Sequence, residues 1–70
     1  MRPMSGKELS SILLRQGWFL LRVQGSHHIF GKAGSIVRLS VPVHGNTALK
    51  TGLFNYLVKM AGLTEDDLQD

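Results

Sequence analysis

The run from Trp18 to Val41 constrains the fold most. Three apolar, β-prone segments, WFLLRV (18–23), HHIFGK (27–32) and SIVRLSV (35–41), are separated only by QGS (24–26) and AG (33–34). Parallel strands need long crossovers, so connections this short point to an antiparallel meander. In the third segment Val37, Leu39 and Val41 share one face and Ile36, Arg38 and Ser40 the other. That period of two marks a half-buried strand. Pro42 ends the sheet.

A helical pattern flanks the meander on each side. Ser5-Gly6-Lys7-Glu8 is an S-x-x-E capping box opening a helix over about residues 6–16. Leu9, Ile12 and Leu13 form its apolar stripe, and Gly17 suits its C′ position. After the aperiodic stretch VHGNTALKTG (43–52), a second helix is predicted to run to about Ala61. Its rows are Leu53, Leu57, Met60 and Phe54, Val58, Ala61, with Gly62 as the stop. Thr64 is placed to cap a last turn through Asp67. The predicted class is α+β, ordered α-β-β-β-α, with a three-stranded antiparallel sheet and both helices on one face. The other face is left open. The 70 residues make one domain, 1–70, closing in a short acidic turn or tail at 64–70.

Charge is unevenly distributed. Residues 1–63 hold all eight Lys and Arg against one acid, Glu8, a balance of +7. Glu65, Asp66, Asp67 and Asp70 follow. Such a body attracts polyanions, nucleic acid first and an acidic protein second. The chain contains no cysteine, which excludes a disulfide framework and thiolate metal sites. No apolar run approaches a membrane span, and the N-terminus lacks a signal-peptide pattern.

Within GSHHIF (25–30) the two histidines diverge. Phe30 is expected to face the helices, and His28 shares its side. His27 and Ile29 then point to the open face. A bulge at Gly25-Ser26 would exchange them. His44, in VPVHG, is a second imidazole near that face or a phosphate contact. Lys50 precedes the second helix, whose free N–H groups already favour an anion. Plainer roles are open to each: a surface residue for His27, a half-buried one for His28, a turn residue for His44, a solvated lysine for Lys50. Adjacent strand histidines without Cys or a nearby carboxylate make a poor ligand set, so no metal and no cofactor is expected.

The segments KELSSILLRQGWFLLRVQGSHHIF, VPVHGNTALKTGLF and LVKMAGLTEDDL resemble the HicA toxins of bacterial and archaeal toxin–antitoxin pairs, in that family's order and spacing over about residues 6–68. LKTGLF has Lys-Thr-Gly where the family usually has Lys-Gly-Thr, and IFGKAG lacks the His-Pro that many members carry. The resemblance implies a double-stranded-RNA-binding-domain-like fold and a ribosome-independent ribonuclease that cleaves mRNA. It also implies neutralisation by a cognate HicB antitoxin. The family's catalytic histidine falls on His27, with His28 as the alternative.

A histidine suits such work because its ordinary pKa of ~6.5 leaves much of it neutral yet basic near pH 7. His27 would take the ribose 2′-hydroxyl proton. Lys50 first, then Arg38 and Arg22, would hold the phosphate. His44 or His28 would be the acid, unless one histidine serves both steps. The expected enzyme is a cytoplasmic monomer when free. The same surface also suits an RNA-binding module that does not cut, or an inactive family member bound to an acidic partner.

Overall fold

In the computed structural model, residues 3–69 are described. Met1, Arg2 and the last acid of the tail, Asp70, lie outside the described residues. The elements run α1 (Gly6–Arg15), β1 (Phe19–Gln24), β2 (His27–Gly31), β3 (Leu39–Pro42), α2 (Thr51–Ala61) and a 3₁₀ turn (Asp66–Leu68). The strands form one antiparallel sheet in the order β1-β2-β3. This is the α-β-β-β-α order and α+β class expected.

Local chemistry sets both ends of α1 and the C-terminal end of α2. Ser5 Oγ accepts from the Glu8 amide at 3.1 Å, and Glu8 Oε1 accepts from the Ser5 amide at 3.1 Å, closing the capping box. Gly17, at φ +93°, reverses the chain after α1. Its amide donates to Leu14 at 3.3 Å and the Trp18 amide to Leu13 at 3.0 Å, a Schellman ending. Trp18 therefore belongs to the helix stop rather than to the strand. It is buried, with the Lys32 ammonium 5.6 Å from its ring centroid. Gly62, at φ +69°, ends α2 in the same way, the Leu63 amide reaching Val58 at 3.1 Å. Thr64 and Asp67 cap each other at 2.8 and 3.2 Å.

Packing follows the predicted stripes. Leu9, Ile12 and Leu13 from α1 and Phe54, Leu57 and Ala61 from α2 bury against Phe30, Leu39 and Val41 of the sheet. Phe30 pairs with Leu39 and His28 with Val41 in register, so the core sits on one face. Both helices cover that face. Met60, expected in the stripe, is exposed.

Two features of the sheet depart from expectation. The β1–β2 turn falls within QGS as expected, but Gln24 joins β1 and pairs with His27, leaving Gly25-Ser26 as a two-residue hairpin turn. An equally tight turn at 33–34 would pair Phe30 with Val37. Phe30 pairs instead with Leu39, and β3 starts at Leu39 rather than at 35. Residues 32–38 form a loop held by Ser35, whose amide donates to Lys32 at 3.1 Å and whose Oγ accepts from the Val37 amide at 3.0 Å. A slip of two residues preserves the faces, which is why the alternation of Leu39 and Val41 still holds. The second feature is a bulge between Leu20 and Arg22 in β1. No register shift occurs in β2, so its alternation is intact.

Candidate active site

The open face of the sheet carries His27. The imidazole is exposed, at the first position of β2, and its Nδ1 lies 3.1 Å from Ser40 Oγ. The register explains the contact. Ser40 pairs with Ile29, and His27 pairs with Pro42, so Ser40 is the diagonal neighbour of His27 on one face. Arg22 also pairs with Ile29, from the β1 side. Ile29 lies outside the main core cluster, as an open-face residue should, yet is only 8% exposed. The resulting patch is an imidazole with a guanidinium side chain on one flank and a hydroxyl on the other.

His28 points the other way. It is half-buried, paired with Val23 and with the fully buried Val41. His44 is exposed just beyond β3, and its Nε2 lies 3.3 Å from Ser26 Oγ. The Val43 amide donates to the Ser26 carbonyl at 2.8 Å, which holds this loop against the hairpin turn beside His27. Lys50 is the N-cap of α2, exposed and without a side-chain cap. The first turn of α2 contains no acid, so its free amides and dipole face solvent with a lysine beside them.

Arg38 is placed elsewhere. Its Nη1 donates to the carbonyls of Ser35 at 3.1 Å and Val37 at 3.0 Å. It lies near Gly31, the opposite end of β2 from His27. Four strand steps, from His27 to Gly31, separate those ends by about 13 Å. The structure thus brings together His27, Ser40 and Arg22 on one face. His44 and Lys50 share a cleft off the end of β3, lined also by Pro42, Thr47, Ala48, Leu49 and Leu53. Among the described residues no three His, Cys, Asp or Glu side chains gather where they could hold a metal ion. No helix among them is long and apolar enough to cross a membrane.

Sequence reasoning missed both serines as partners of the histidines. Alternation puts Ser40 on the outward face, but its place beside His27 follows only from the β2–β3 register.

No curated protein matches the chain. A family model described as the HicA toxin of bacterial toxin–antitoxin matches residues 6–63, from the first residue of α1 to the residue after the glycine that stops α2. That match spans the whole sheet, both helices, and the Gly-Ser-His and Val-Pro-x-His segments that hold the two exposed imidazoles. The chain belongs to the HicA toxin family.

Proposed function

We propose that this chain is an endoribonuclease that cleaves mRNA by attack of the ribose 2′-hydroxyl on the adjacent phosphodiester, with His27 as general base. The supporting observation is the exposed imidazole on the helix-free face with Nδ1 tied to Ser40. With Nδ1–H donated to the Ser40 hydroxyl, Nε2 keeps its lone pair and faces the bound ribose. His27 Nε2 takes the 2′-hydroxyl proton. The 2′-oxygen–phosphorus bond forms as the bond from phosphorus to the 5′-oxygen breaks. The 5′-oxygen takes a proton from the imidazolium of His44. The products are a 2′,3′-cyclic phosphate and a 5′-hydroxyl. Arg22, beside His27 on the open face, offsets the charge of the phosphorane, where a fixed cation acts most strongly, and Lys50 contacts the RNA backbone on the 3′ side of the cut. Arg38, bound to its own loop, would contact the RNA strand away from the reacting phosphate.

The chain supplies every group in this step, so cleavage is expected to persist in EDTA. RNA carrying a single 2′-deoxy residue at the scissile nucleotide should not be cut there. Mass analysis should find cyclic phosphate ends on the products of all-ribose RNA. Equal cleavage of the deoxy substrate would rule this chemistry out.

Ser40 acts through His27 by fixing its ring and tautomer. Ser40→Ala is expected to lower kcat about ten-fold with KM nearly unchanged, in initial rates on one RNA substrate. A rise in KM alone would mean that Ser40 touches the RNA instead.

Membership of a toxin–antitoxin family implies a cognate antitoxin. The partner proposed here is a HicB-type protein that covers the basic face and its histidines. Free of it, the chain would act as a monomer in the cytoplasm.

A further inference from the structure

The cleft beyond β3 has a volume of about 260 Å³, below the ~300–1,000 Å³ of sites for drug-sized ligands. Pro42, Ala48, Leu49 and Leu53 give it an apolar lining, and Thr47, His44 and Lys50 supply its polar groups. None of these seven residues is acidic, and no Asp or Glu occurs anywhere between Glu8 and Glu65. The cleft adjoins the strand that carries His27, since Pro42, one of its lining residues, is the register partner of His27.

Its walls are held by the fold. The Leu49 amide donates to the Met4 carbonyl at 2.8 Å, and Ser5 bridges Ala48, so the segment before α2 is pinned to the start of α1. The Thr47 amide closes a turn on the His44 carbonyl at 3.0 Å. A site with an apolar floor, a hydroxyl, an imidazole and an ammonium group fits a flat, hydrogen-bonding heterocycle joined to phosphate. His44 and Lys50 both line it, and His27 is the strand partner of Pro42, which lines it too.

We infer that this cleft seats the nucleoside on the 3′ side of the scissile phosphate, with that nucleoside's own 3′-phosphate on Lys50. The inference rests on the assignment of His27 to the attacking ribose. His44 then stands at the 5′-oxygen of the departing nucleoside. The base lies against Pro42, Leu49 and Leu53, and Thr47 is available to its polar edge. The cleft accepts one nucleoside and fixes which bond reaches His27.

Two measurements test this. In the first, the isotope-labelled protein is titrated with adenosine 3′-monophosphate and its amide resonances are followed. Shifts centred on Thr47, Ala48, Leu49 and Leu53, and lost in Ala48→Trp, are expected whether or not the protein cuts RNA. Shifts elsewhere, or none, overturn the cleft assignment even if RNA is cut. In the second, a short RNA is compared with the same RNA ending in a 3′-phosphate one nucleotide past the cut. The added phosphate should lower KM about ten-fold in wild type and have no effect in Lys50→Met. An equal gain in Lys50→Met overturns the role of Lys50. If Ala48→Trp leaves nucleotide binding and RNA cleavage unchanged but abolishes neutralisation by the antitoxin, the cleft belongs to the protein partner and the inference fails.

Discussion

His27→Ala is expected to stay folded and to cut RNA more slowly by a factor of ~10² or more, within the range for positioned acid–base groups. The fold should survive because the ring is exposed and contributes nothing to the core cluster. Its one described side-chain bond, to Ser40, is itself exposed. The loss should fall on kcat, with KM little changed, since proton removal matters in the transition state and not in binding. His28→Ala provides the contrast. That ring is half-buried beside Val41, under the helices. Its removal should lower thermal stability and leave kcat per folded molecule near wild type. A thermal melt and a single-turnover cleavage assay on both variants separate the two histidines. If His28→Ala is the slow enzyme and His27→Ala cuts normally, the open-face base is misassigned.

Gly6→Ala is expected to destabilise the domain severely. Helix propensity alone predicts the opposite, because alanine exceeds glycine by about 1 kcal/mol inside a helix. The tertiary contact decides the sign. Gly6 is buried at the first position of α1, and a methyl group there would be driven into the backbone carbonyl of Pro42, with Val41 behind it. Backbone cannot rotate away as a side chain can, so α1 or the end of β3 must move. Overpacking of this kind costs about 3 kcal/mol. A 70-residue chain has roughly 4–10 kcal/mol in total at ~0.05–0.15 kcal/mol per residue. At about 4–8 °C per kcal/mol for a domain this small, Tm should fall by more than about 10 °C. Calorimetry or circular dichroism melts give the answer, and an unchanged or higher Tm would show that the contact relaxes freely. Pro42 lies opposite His27, so a folded Gly6→Ala protein should also cut RNA less well.

Gly6 shows how legibility divides along this chain. In the sequence it is the filler of a capping box, flanked by the Ser5 and Glu8 that carry the signal. Its contact with Pro42, 36 positions away, leaves no local trace. The same holds for Ser40 and His27. Each was placed on the right face by alternation, yet their 3.1 Å contact depended on a register that the Ala33-Gly34 turn misreported by two residues. His44 and Lys50 were recognised as separate candidates, and only the pinning of the 43–50 segment to Met4 and Ser5 places them in one cleft.

The amino-acid order alone determined the two helices, the caps of α1, the stop of α2, the antiparallel sheet, the covered face and the divergence of His27 from His28. These follow from interactions spanning a few residues: caps, positive-φ glycines, and periods of 3.6 and 2. Tertiary structure decided the length and register of β3, the bulge in β1, the serine partners of the two exposed imidazoles and the cleft beside them. Those depend on which strands and loops come to lie side by side. Shifting a strand by two residues leaves every side chain on the same face but changes all of its neighbours.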